Sequence, residues 1–186
     1  MQHELDISLE FTPNPKTLKY CVNRRFLLVG SEYFVSAEEA QGHSPLAVKL
    51  FALGDISAIM FGADFVTVTL EDPSRLRELN RQIIDTIRSH VEAGEVVVTP
   101  RDPDERFQNL DAASQQIRQV IEDEVRPAVA QDGGDIVFER FQDGKVFVHM
   151  KGSCAGCPSS QATLKDGIEM RLKALVPEVQ EVVALV

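Results

Sequence analysis

The run Gly152-Ser153-Cys154-Ala155-Gly156-Cys157-Pro158-Ser159-Ser160 constrains this chain more than any other stretch, because it joins two segments of different periodicity. Before it, Lys145 to Met150 is short and rich in Val and Phe, which reads as a strand. After it, Gln161 to Val176 carries Leu164, Ile168, Leu172 and Leu175 at helical spacing. Pro158 falls at the first helical position, where its missing N–H costs nothing and its fixed φ suits a helix. The pattern predicts a strand, a tight exposed loop and a helix, with Cys154 and Cys157 presented at the helix N-terminus. Partial positive charge and unbonded N–H groups at such an end favour thiolate over thiol.

Two thiolates are half of a usual soft-metal site, since structural zinc takes four protein ligands and an Fe–S cluster is normally held by four cysteines. The remaining cysteine, Cys21, lies far upstream with no partner at ligand spacing. A twofold dimer makes up the shortage: an isologous interface brings the same patch of both subunits together, giving Cys154, Cys157 and their copies around one metal or cluster. Two other classes stay open at this point, a thioredoxin-like dithiol–disulfide oxidoreductase and a zinc-binding interaction module. Against the first, a thioredoxin motif opens a long βαβ domain with a facing cis proline. Here 29 residues follow Cys157, and the last proline, Pro177, sits at the end of the helix.

The string from Gly152 to Leu172, together with Asp132-Gly133-Gly134-Asp135 upstream, resembles the C-terminal domain of NifU as found in Nfu-type iron–sulfur cluster carriers. The likeness covers about Ala112 to Val186. It implies a [4Fe-4S] cluster shared between two subunits, with Cys154 and Cys157 as its ligands. It also implies a homodimer when loaded, an upstream assembly scaffold as donor, and apo iron–sulfur proteins as acceptors. Such a protein is a carrier, not an enzyme. Pro13-Asn14-Pro15-Lys16-Thr17-Leu18-Lys19, Ser44-Pro45-Leu46-Ala47 and the residues from Phe61 to Val68 resemble the N-terminal domain that many Nfu proteins carry.

At 186 residues the chain has room for two small domains, and its 44% apolar fraction needs no disulfide staple. A net charge of -10 argues against nucleic acid and against an anionic membrane surface. Of the 29 acidic residues, 17 fall within 91–186, which serves solubility and would favour partners with basic surfaces. Three cysteines make no disulfide framework, and no run of apolar residues is long enough to span a membrane. The N-terminus has neither the basic and apolar regions of a signal peptide nor the Arg-rich character of a transit peptide. With exposed thiolates this predicts a reducing, cytoplasmic location.

Taken in order, Leu5 to Phe11, Thr17 to Val22 and Arg24 to Val29 read as extended segments. Ser44-Pro45 opens a short helix ending near Gly54, and Gly62-Ala63-Asp64 joins two strands in a hairpin. Asp72-Pro73 opens a helix with Leu76, Leu79, Ile83 and Ile87 on one face. The first domain is then 1–90. An acidic linker covers 91–111, its flexible chain reaching roughly 25 Å. The second domain is 112–186, running helix, hairpin, helix, strand. Pro127 is expected to kink or end the helix from Ala112 to Ala130. The fold class is α+β: two small domains, each with helices packed on a mainly antiparallel sheet. Asp132-Gly133-Gly134-Asp135 reads as a tight helix-to-strand turn, lacking the further ligands of a calcium loop and the Lys-Ser/Thr of a P-loop. His149 is weighed as a third ligand and set aside as a surface or satisfied core histidine, and Cys21 as a semi-buried small residue.

Overall fold

The computed structural model describes residues 4–28, 30–100, 110–155 and 158–185, without the side chains of 158–161 and 163. The chain divides into two compact units, Met1–Arg101 and Asp102–Val186. Each is α+β, as the sequence predicts.

The first unit is built on an antiparallel sheet of order β1-β2-β5-β4-β3, comprising β1 (Ile7–Phe11), β2 (Thr17–Val22), β3 (Glu32–Phe34), β4 (Ile56–Phe61) and β5 (Phe65–Leu70). Helix α1 (Ala37–Ala40) is a single turn that the sequence pattern did not announce. The next two helices start where their caps predict. Ser44 accepts the Ala47 N–H ahead of α2 (Pro45–Phe51), and Asp72 accepts the Ser74 N–H at a 3₁₀ turn leading into α3 (Leu76–Glu92). Leu46, Leu50, Leu79, Ile83 and Ile87 bury against Leu18, Tyr20, Ile59, Val66 and Val68 of the sheet.

Two expectations need correction here. The extended segment predicted from Arg24 is no strand over its described part. Phe26 and Leu27 donate to the single carbonyl of Ala63, and the Arg25 guanidinium occupies the carbonyls of Leu27 and Leu28, so no ladder can form. The strand comes later, at Glu32–Phe34. The linker predicted from residue 91 also starts too early. Val98 is buried in the first core with Val91 and Val97 against it, Ser44 Oγ donates to the Val97 carbonyl at 2.6 Å, and the Thr99 N–H donates to His43. The apolar triplet Val96-Val97-Val98 was the sequence signal, and burial of Val98 with Val97 half-buried beside it holds this segment on the unit. Residues 101–109 of the predicted linker lie outside the described residues.

In the second unit, α4 (Ala112–Val120), a π turn (Ile121–Val125) and α5 (Arg126–Gln131) follow one another as helix. Asp111 caps the start, accepting from the Ser114 N–H and hydroxyl. Pro127 neither ends this helix nor leaves a gap. The Arg126 N–H reaches back to the Ile121 carbonyl, and this wider turn fits the proline ring at the start of α5. Ile117, Val120, Ile121, Val125 and Val129 face the core. Strands β6 (Gly134–Gln142) and β7 (Lys145–Gly152) pair through a two-residue turn in which Asp143 and Gly144 both have positive φ (51° and 73°), the geometry that suits a tight hairpin. Helix α6 (Pro158–Leu175) then returns the chain to β8 (Glu181–Leu185), which runs parallel to β7. The sheet order β6-β7-β8 puts β7, and so the entry to the cysteine loop, in the middle.

Leu172, fully buried from α6, anchors this crossover. Leu172→Ala is expected to cost about 3 kcal/mol, from lost burial and the cavity left behind. Urea unfolding of the full chain should show a lower midpoint for the second unit while the first unit's transition stays in place.

Candidate functional site

The site is built where the end of α5 meets the end of β7. The Asp132 and Gly133 N–H groups close the helix on the carbonyls of Val129 and Ala130, and Gly133 takes φ +75°, which turns the chain into β6. Gly134 pairs with Gly152 at the start of the β6–β7 ladder. Gly152 in turn has φ +61°, so β7 ends in a turn: the Ala155 N–H donates to the Gly152 carbonyl. Ser153 fastens this loop to the turn beneath it, its N–H donating to the Gly133 carbonyl at 3.1 Å and its Oγ to the Asp132 carbonyl at 2.6 Å.

Cys154 thus comes to rest over the backbone of Gly134. A Cβ placed on Gly134 would lie 2.2 Å from the Cys154 Sγ, so only glycine leaves room for the sulfur. The cysteine is 7% exposed and belongs to the core with Met150, Ile168 and Leu172. Burial pushes its thiol up to about 11, the Ser153 hydroxyl works against that rise, and the charges of Asp132 and Asp135 add to it. The expectation of an exposed first cysteine biased to thiolate is therefore corrected for this conformation: burial disfavours the charged form of Cys154. Cys157 and Gly156 lie outside the described residues.

Beneath the loop sits a contact that sequence reasoning missed. Asp135, 5% exposed, receives both Nε and one terminal nitrogen of Arg126 at 2.8 and 2.7 Å, and its Oδ1 also accepts the Ile136 N–H. Burial disfavours the Arg126 charge, but the Asp135 carboxylate more than offsets it, and the guanidinium's pKa is raised. The turn Asp132-Gly133-Gly134-Asp135 is thus a helix-to-strand connection, as read, and also the seat of Cys154. The signals were present in the sequence, as paired glycines and a serine just before a cysteine, but nothing local tells which sulfur lies over which glycine.

The other candidates are placed apart from this seat. His149 alternates to the sheet face opposite Val148 and Met150, and its Nε2 lies 3.5 Å from Glu139. Cys21 is on β2 of the first unit, half-buried, its thiol pushed up to about 11 by burial and then by the Glu10 carboxylate. Among the described residues no group of three or more His, Cys, Asp or Glu is placed to hold a metal ion.

Comparison with known proteins follows the same division. Residues 7–94 match the family model described as "Scaffold protein Nfu/NifU N terminal", and residues 117–183 match that of the "NifU-like domain". The chain is 35% identical over 180 residues to the "NFU1 iron-sulfur cluster scaffold homolog, mitochondrial" of Drosophila ananassae, covering 95% of this chain and 63% of that protein. It is 34% identical over 179 residues to the protein of the same description from Drosophila virilis, covering 95% and 60%. The chain thus spans somewhat under two thirds of the length of these relatives. The solution structure of a NifU-like protein from Saccharomyces cerevisiae aligns with 24% identity and a TM-score of 0.47, over 54% of this chain and 92% of that one. The relatives are named as mitochondrial, which overturns the cytoplasmic location expected from the sequence. The thiol argument asks only for a reducing compartment, and it does not select the cytoplasm among them.

Two outcomes test this geometry. Asp135→Ala strands the Arg126 guanidinium, of which 22% of the side chain is exposed, and is expected to destabilise the second unit by about 3 kcal/mol in urea unfolding. Cys21, with its ionisation near 11, stays a thiol at neutral pH. Its alkylation rate should therefore keep rising with pH up to about 11, beyond the point where an unperturbed thiol levels off.

Proposed function

We propose, from the premise that this chain belongs to the Nfu/NifU-like family of iron–sulfur cluster scaffold proteins, that it holds a [4Fe-4S] cluster between two copies of itself and passes it to apoproteins. The observation that carries the reading is the position of Cys154: it stands at the junction of the central strand β7 and helix α6, inside the span that matches the NifU-like model. Cys154 and Cys157 of each copy would supply four sulfur donors. The N-terminal end of α6, an 18-residue helix, offers unbonded N–H groups and partial positive charge to the anionic cluster.

Transfer follows from ligand exchange. A client thiolate takes the place of one cysteine thiolate on an iron atom, so charge and electrons balance and the Fe–S core stays whole. Separation of the two copies then releases the remaining bonds. With only two donors per copy, no single protomer retains the cluster once exchange begins. The protein turns over cargo without changing a covalent bond of a substrate, and in this sense it acts as a carrier and not as an enzyme. The acidity of the chain, -10 overall, favours clients and an upstream scaffold with basic contact surfaces. A mitochondrial setting is taken over from the names of the relatives.

Anaerobic reconstitution with iron and sulfide tests the reading. Wild type should gain broad visible absorption, near-equal iron and sulfide, and twice its apo mass. Cys154→Ala and Cys157→Ala should each lose the cluster, and Cys21→Ala should keep it. An iron-loaded species that remains a monomer, or loss of the cluster on changing Cys21, would overturn the ligand assignment. Zinc in place of iron, or reduction of disulfides dependent on both cysteines, would favour the other two classes.

A further inference from the structure

A cysteine that serves as a cluster ligand must present its sulfur to an iron atom with sulfides around it. In this structure the Cys154 sulfur is packed into the core. Its Sγ rests on the bare backbone of Gly134, with Met150, Ile168 and Leu172 in the same core, and only 7% of the residue meets solvent. A Cβ on residue 134 would lie 2.2 Å from the sulfur, so this seat exists only because that residue is glycine. The conformation described is a sheathed one.

Ser153 holds it there. The residue is 2% exposed, its N–H is bonded to the Gly133 carbonyl, and its hydroxyl is bonded to the Asp132 carbonyl at 2.6 Å. These two bonds fasten the residue preceding Cys154 to the turn on which the sulfur sits. Gly152, at φ +61°, is the point about which the loop can swing, because glycine passes between left- and right-handed backbone at little cost. We propose that Ser153 is a positioning residue that latches Cys154 in the sheathed state of the cluster-free protomer, and that its bond to the Asp132 carbonyl breaks before Cys154 ligates iron. The inference rests on the reading of Cys154 as a ligand. It adds a closed state that shields the sulfur from oxidants and stray metals, and whose cost of opening is offset only when Fe–S bonds form.

The test uses the full chain, reduced and metal-free, with iodoacetamide as probe and labelling resolved by peptide mass. Wild-type Cys154 should react far more slowly than an unstructured cysteine. Ser153→Ala removes one buried hydrogen bond and should raise the Cys154 rate roughly fivefold, the factor that corresponds to one such bond, with the Cys21 rate unchanged. Gly134→Ala should raise the Cys154 rate too, by displacing the sulfur from the other side. Val182→Ala weakens the same core away from the latch, and it should leave the Cys154 rate as it was if opening is local.

The proposal is overturned if wild-type Cys154 labels as fast as an unstructured thiol or if Ser153→Ala leaves its rate unchanged. It is equally overturned if Val182→Ala raises the rate as much, since exposure then comes from unfolding of the unit. Because no iron is present, these outcomes stand apart from the reconstitution of the cysteine variants: a failed latch leaves the cluster reading intact, and a failed cluster reading leaves only a buried thiol.

Discussion

The Cys154 sulfur occupies the space that a side chain on residue 134 would fill, and the second unit is arranged around this contact. Gly134 offers the bare surface, and Cys154 covers it. Everything nearby serves to bring the two together. Gly133 turns α5 into β6 through a left-handed residue, Gly152 ends β7 through another, and Ser153 stitches the second turn onto the first. Glycine is needed at these positions for different reasons. At 133 and 152 it supplies positive φ, and at 134 it supplies empty space.

The helix before this turn shows how a local fault becomes a structural resource. Pro127 removes one N–H from the helix, and a regular turn would crowd its ring against the preceding carbonyl. The π turn from Ile121 to Val125 takes up the mismatch without breaking the apolar face, since Ile117, Ile121, Val125 and Val129 all remain in the core. Arg126 follows directly after it and donates twice to Asp135, two residues beyond Gly133. A charge that is costly to bury is matched by a carboxylate that is more buried still, and the pair ties helix and strand together below the cysteine seat. The site is thus supported from underneath by an ion pair and from above by the Ser153 hydrogen bonds.

The first unit closes by a different means. Its last segment carries no secondary structure, yet Val97 and Val98 pack on the core and Ser44 bonds to the Val97 carbonyl, with the same hydroxyl that caps α2. His90, fully buried at its side chain, donates from Nε2 to the Val96 carbonyl and accepts at Nδ1 from the Lys49 ammonium. Composition had marked this stretch as the beginning of a tether, because acids and prolines follow it closely. Val97 and Val98 outweighed them, since burying apolar side chains gains more than a short extended segment loses in freedom.

The sequence by itself determined the main helices and hairpins, the two-part α+β organisation and the strand and helix that flank the cysteine motif. Each of these follows from information a few residues wide: alternation in β1 and β7, Ser44-Pro45 and Asp72-Pro73 as helix starts, Asp143-Gly144 as a hairpin turn. Only the tertiary structure decided the state of Cys154. The helix end that should favour its thiolate is a local feature, whereas the desolvation that pushes the thiol up to about 11 arises from contacts with Gly134 and a core assembled from residues far along the chain. The same holds for the Arg126–Asp135 pair and for the π turn by which the helix accommodates Pro127. Periodicity records which side of an element is apolar, but which atom that side will meet is fixed only when the elements close on one another.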